Sequence, residues 1–135
     1  KAEKIIFEYE KKLIKKMGIN KIPLHIALED VSAGYDILSY RMIGSQIKQV
    51  FIEVKAVSFS NYQFHLSVNE YQTAIKLNPH YYIYLLPVDY SLPKGFNLEN
   101  LVKINEIKRN IFEDKNKWNV LPDGYLISKK TEKKE

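Results

Sequence analysis

Apolar residues recur at helical spacing over Ala2 to Met17, where Ile5, Ile6, Tyr9, Leu13 and Met17 are separated by Glu and Lys. That period predicts an amphipathic helix with one face on a core. Gly18 is placed to stop it, since glycine takes up the left-handed conformation of a helix terminus without steric cost. The pattern then shifts to shorter extended segments, Ile22 to Val31, Tyr35 to Ile43 and Lys48 to Val57. Gly44-Ser45 between the last two predicts a hairpin turn. A further strand is expected over Tyr62 to Leu66. Ser67 and Glu70, three residues apart, form a capping-box signature, so a helix should run from there to about Leu77. Asn78-Pro79 interrupts that helix. The run Tyr81 to Val88 (YYIYLLPV) is apolar throughout and predicts a buried central strand. Beyond Pro87 the signal weakens, with a strand expected within Leu98 to Ile107 and a short helix within Ile111 to Trp118. This order predicts an α/β fold, a mixed sheet flanked by helices.

Composition refines the picture modestly. A chain of 135 residues with 45% hydrophobic and 27% charged residues is ordinary globular material. It reads as a single domain over residues 1–128, a fragment of a larger protein, followed by a charged disordered tail at 129–135. The absence of cysteine excludes disulfides and thiolate metal sites and fits a reducing, cytoplasmic setting. No apolar run is long enough to span a bilayer, and the charge-rich start is unlike a signal peptide. The net charge of +5 suggests nucleic acid as a partner. However, the tail KKTEKKE carries four Lys against two Glu, and nearly all basic residues are Lys, with only Arg41 and Arg109. Charge alone is therefore a weak guide.

The candidate chemistry lies in V-F-I-E-V-K-A-V (50–57). Alternation along a strand puts Phe51, Glu53 and Lys55 on one face and Ile52, Val54 and Ala56 on the other. The plain alternative is a surface ion pair on an edge strand. Asp36 changes that expectation, because it would be the cross-hairpin neighbour of Glu53. Two adjacent carboxylates resist joint ionisation unless a cation lies between them, and hard oxygen ligands suit Mg²⁺ or Mn²⁺. A neighbouring Lys could orient a water and offset charge on a phosphoryl group.

The blocks G-Y-D-I-L-S (34–39), F-I-E-V-K-A (51–56), F-H-L-S-V-N-E-Y (64–71) and Y-Y-I-Y-L-L (81–86), with the opening A-E-K-I-I-F-E-Y-E-K-K-L, resemble the domain named after the C-terminal part of the plant protein NO VEIN. The resemblance covers roughly residues 2 to 88. That family is in turn similar to the PD-(D/E)XK nucleases, which implies a restriction-endonuclease-like fold with an α-β-β-β-α-β core. It occurs as a module in bacterial restriction and defence proteins and in large ATPase-containing proteins. The resemblance implies a Mg²⁺-dependent DNA endonuclease acting on double-stranded DNA, alongside other domains of the chain. Two copies would be needed for one site each to cut both strands. It places metal ligation on Asp36, Glu53 and the carbonyl of Val54, and catalysis on Asp36, Glu53 and Lys55. The helical acidic residue falls on Glu3, with Glu10 as the second choice. Ala2 departs from the glycine usual at that position.

His25, His65 and His80 share no ligand spacing and read as structural or surface residues. No phosphate-binding glycine loop, serine elbow or Cys/His pair is present. The tyrosines could stack on bases, but Tyr81, Tyr82 and Tyr84 fall in the core strand, where packing is the better reading. Glu70 is expected chiefly to cap its helix. Two other functions fit the same residues: a non-cleaving nucleic-acid recognition module, and a protein scaffold with a vestigial site.

Overall fold

Helix α1 spans Ala2–Lys16 and closes on a left-handed glycine, Gly18, with φ +76°. The Gly18 N–H donates to the Lys15 carbonyl and the Ile19 N–H to the Ile14 carbonyl, the pair of hydrogen bonds expected of a glycine stop. In this computed structural model, which describes residues 1–123 and 128–130, five strands follow: β1 Leu24–His25, β2 Ile37–Ile43, β3 Gln46–Ser58, β4 Tyr81–Val88 and β5 Val102–Ile104. The second helix, α2, spans Val68–Lys76 between β3 and β4. The expected tail at 129–135 falls largely outside the described residues.

The sheet order is β1-β2-β3-β4-β5, antiparallel except for β3 and β4, which run parallel through the α2 crossover. The architecture is therefore a mixed α/β sheet flanked by helices, compatible with a restriction-endonuclease-like fold. Its order up to β4 is the expected α-β-β-β-α-β. Alternation in the strands feeds two cores on opposite faces. Ile37, Ile52, Val54, Tyr84 and Leu86 pack with Ile6 of α1. Val57, Tyr81, Ile83 and Leu85 pack with Ala74 of α2 and with Ile107 and Ile111. No helix among the described residues is long and apolar enough to cross a membrane.

Four local expectations are corrected. The segment expected as a strand over 22–31 supplies only the two residues of β1, then a tight turn at Ile26–Leu28. Asp30 ends any extended course there, its Oδ1 accepting from both the Ser32 N–H and hydroxyl at 2.9 and 2.7 Å. Residues 62–66 form no strand: β3 is already paired on both edges, so the alternating Tyr62, Phe64 and Leu66 pack on the core without a ladder. β5 keeps only Val102–Ile104 of the predicted 98–107, with a tight turn at Leu98–Asn100 before it. The short helix expected over 111–118 is replaced by a π-helical turn at Lys108–Phe112.

The burial of α1 is also rotated from the predicted stripe. Ile6, Glu10 and Ile14 are its buried positions, and Met17 is 41% exposed. The buried Glu10 is matched by Arg41 of β2, whose guanidinium donates to both Glu10 carboxylate oxygens at 2.7 and 2.9 Å. Ser39 and Tyr84 donate their hydroxyls to the same carboxylate at 2.7 and 2.9 Å.

The loop before β2 is held by close approach. Gly34 has φ +82°, and a Cβ there would lie 2.2 Å from Thr73 Oγ1 of α2. Its carbonyl accepts from the Tyr81 hydroxyl at 2.8 Å, and Asn69 Nδ2 donates to the Ser32 carbonyl at 2.9 Å. Replacing Gly34 by Ala is expected to cost about 2–4 kcal/mol, combining the left-handed backbone with overpacking against Thr73. Urea unfolding would measure it; a midpoint equal to that of the unmodified chain would contradict the account.

Candidate active site

Asp36 lies one residue before β2, whose register pairs Ile37 with Ile52, so Asp36 stands opposite Glu53. The Asp36 N–H donates to the Ile52 carbonyl at 2.8 Å, and Asp36 Oδ2 accepts from the Val54 N–H at 2.8 Å. The carboxylate therefore replaces the backbone acceptor that β2 would have offered one step further on. Glu53 and Lys55 project together to the α2 side of β3, as alternation requires. Lys55 Nζ lies 3.2 Å from Glu53 Oε2 and 2.9 Å from Glu70 Oε1. β3 is a central strand and Glu53 is only 5% exposed, which rules out the surface-pair reading of an edge strand.

The charge arrangement is tense. Burial, and then the negative charge of Asp36, push the Glu53 carboxyl up to about 9, so in the metal-free protein it holds a proton at neutral pH. Burial also raises Asp36, with the charge of Glu3 adding to it and the Val54 N–H opposing. For Lys55 burial works against the ammonium, but hydrogen bonds and charge from Glu70 and Glu53 outweigh it and hold its pKa above the ordinary value. Burial likewise opposes ionisation of Glu70, yet the Ser67 N–H and Lys55 prevail and its pKa is lowered. The Tyr81 hydroxyl is pushed up by burial and by these carboxylates.

Because the folded-state pKa of Glu53 lies above its unfolded value, its contribution to stability is full below about pH 4.5 and is lost as pH rises toward 9. Without divalent metal, the stability of the domain should fall across that window. Glu53→Gln should flatten the fall, which urea titrations at pH 5, 7 and 9 would read. A parallel pH dependence in the two proteins would refute the assignment.

The structure separates the two helical candidates. Glu3 lies close enough to Asp36 for its charge to act on it, and its Oε1 is hydrogen-bonded to His25 Nε2 at 2.8 Å. Glu10 belongs instead to the buried Arg41 network. His25, expected as structural or surface, thus sits against the site's edge, stacked at 5.8 Å on Phe7. Glu70 does form the expected capping box with Ser67, and the same Oε1 also accepts from Lys55. Capping explains only part of its position. The sequence signal for that second contact was slight: a Glu on the helix of a β3–α2–β4 crossover, which must return over the Glu53–Lys55 face.

Among the described residues no group of three or more His, Cys, Asp and Glu side chains is arranged to hold a metal ion. What the cluster offers is two crowded carboxylates, backbone oxygen and a fixed ammonium. A family model described as "Protein NO VEIN, C-terminal" matches residues 2–98, which takes in α1 through β4 and the loop beyond it. No curated protein and no solved structure matches the chain.

Proposed function

The chain belongs to the NO VEIN C-terminal family, and from the site within that segment we propose that it is a nuclease domain that hydrolyses phosphodiester bonds in DNA with Mg²⁺ or Mn²⁺. The observation that carries this reading is Asp36 opposite Glu53, with Lys55 held beside them as a buried cation. Restriction or defence against foreign DNA, within a larger protein, is the setting we infer.

The donor set fits a hard divalent cation. Glu53 keeps its proton because of burial and the crowding of a second carboxylate, and a cation between the two would relieve that repulsion. Asp36, Glu53 and the Val54 carbonyl would hold the ion. In a strand a residue's N–H and C=O share one edge, so the Val54 carbonyl lies on the edge where its N–H meets Asp36. Few protein ligands, with water and phosphate completing the shell, is the preference of Mg²⁺. The bound ion would supply Lewis-acid polarisation of the phosphoryl oxygens.

The protein's own groups divide the remaining work. Lys55, kept protonated between Glu53 and Glu70, acts as a fixed cation and not as a base. It orients the attacking water and offsets charge gathering on the phosphoryl group. Glu70 positions Lys55, and Glu3 adds a third carboxylate at the Asp36 side for water. Because a cation competes with the Glu53 proton, Mg²⁺ affinity should rise with pH.

Incubation with plasmid and linear DNA tests the reading. Cleavage should require Mg²⁺ or Mn²⁺, stop with EDTA and vanish in Glu53→Ala. A domain that binds neither metal nor leaves any cut in DNA is not a nuclease. DNA binding without cleavage, surviving both EDTA and Glu53→Ala, would make it a recognition module instead.

A further inference from the structure

A groove of about 740 Å³ runs along the outer side of α1, between that helix and the segment 93–98 that follows β4. Of its eleven lining residues five are lysines, Lys1, Lys4, Lys12, Lys16 and Lys94, and one, Glu8, is acidic. Across the chain, 21 basic residues less two arginines leave 19 lysines in 135. The groove is thus enriched about threefold, and the general lysine bias does not account for it. Lys4, Glu8, Lys12 and Lys16 fall on one four-residue repeat of the helix, steps of about 6 Å along its axis, so that Lys12 and Lys16 are neighbours while the acid separates them from Lys4.

The floor between these cations is apolar, formed by Ile5, Tyr9, Leu13 and Leu98. Lys103 of β5 adds a cation at the sheet side, its Nζ 4.7 Å from the centre of the Tyr9 ring. An adjoining hollow of about 460 Å³ shares Lys1, Pro93 and Lys94 with the groove and brings in Tyr90, which is 91% exposed. Both hollows meet at Lys1, at the start of α1.

We propose that this groove binds a single strand of nucleic acid and carries it to the N-terminal end of α1. Only the destination of the strand rests on the nuclease reading; binding itself requires no metal. Lys12 and Lys16 neutralise phosphates at one end of the groove and Lys1, Lys4 and Lys94 at the other, the apolar floor accepts sugars and base faces, and Tyr90 offers a stacking platform. A duplex presents phosphates outward and keeps its bases stacked, so it would leave the apolar floor unused. An anionic membrane needs an apolar face pointing outward, whereas Ile5, Tyr9 and Leu13 are half-buried in a concavity flanked by lysines.

Fluorescence anisotropy in EDTA, with the whole chain and labelled (dT)20, a 20-base-pair duplex or phosphatidylserine vesicles, tests this. The Lys12→Gln/Lys16→Gln variant should bind (dT)20 about tenfold more weakly, and its log–log salt slope should shrink by about 0.7 per lysine removed. Tyr90→Ala should weaken binding about fivefold or more with the slope unchanged. Lys108→Gln/Lys117→Gln, on exposed positions away from the groove, matches the charge change and should leave affinity intact. Circular dichroism melts verify that each variant is folded. Equal losses in the groove and control variants would overturn the proposal, as would unaffected groove variants, tighter duplex binding with the same dependence, or vesicle binding in place of oligonucleotide binding. Lost cleavage with intact groove dependence then sinks only the nuclease reading, and the converse result sinks only the groove.

Discussion

Lys55→Ala should reduce metal-dependent DNA cleavage by about 10²–10³-fold, the loss typical when one preorganised electrostatic group is removed from a reacting centre. The size follows from its position. The ammonium lies between Glu53 Oε2 and Glu70 Oε1, with a side chain only 17% exposed, so bulk water cannot stand in for it. Its removal leaves the Asp36, Glu53 and Glu70 carboxyls without their cation, which makes a further anion, the scissile phosphate, harder to admit. The fold should tolerate the change, since Glu70 retains the Ser67 N–H at 3.0 Å and α2 keeps its cap. Single-turnover cleavage at saturating Mg²⁺, beside a far-UV circular dichroism spectrum, separates chemistry from folding. A rate within about twofold of the unmodified protein would remove Lys55 from the mechanism.

The largest expected effect on stability belongs to Arg41. Glu10 is fully buried and receives hydrogen bonds from Arg41, Ser39 and Tyr84. Arg41→Ala strands that carboxylate without its countercharge and takes one donor from the Tyr84 hydroxyl, to which Arg41 Nη2 also donates at 2.8 Å. Breaking a buried pair by deleting one partner costs about 3–5 kcal/mol, enough to lower Tm by roughly 10–20 °C in a domain of this size. Adding Glu10→Gln to Arg41→Ala should recover part of that loss, because a neutral amide still accepts from Ser39 and Tyr84 but leaves no buried charge. Calorimetry of both variants checks the sign. A double variant less stable than Arg41→Ala would mean that Glu10 contributes through something other than its charge.

The site's core was legible in the chain because it depends on local rules. Two-residue alternation puts Glu53 and Lys55 on one face of β3 whatever surrounds them. A hairpin closed at Gly44-Ser45 fixes the register that brings Asp36 to Glu53. The capping box at Ser67 and Glu70 and the glycine stop at Gly18 are equally local, as is the apolar run that marks β4 as a central strand. Where expectation failed, a neighbour was missing or present for reasons the segment itself does not encode. Residues 62–66 alternate like a strand but follow a β3 already paired on both sides, and β1 is cut short by the tight turn at Ile26–Leu28.

Asp36, Glu53 and Lys55 as one cluster therefore follow from the sequence, because period and turn length are properties of consecutive residues. Tertiary structure alone decided that Glu70 grips Lys55, since this depends on how α2 crosses back over β3. It decided likewise that Glu10 belongs to Arg41 and not to the site, and that His25 reaches Glu3, pairings between residues 31 and 22 positions apart. Such contacts are set by the distance and angle at which packed elements meet, which depend on the whole core and are written in no single stretch of the chain.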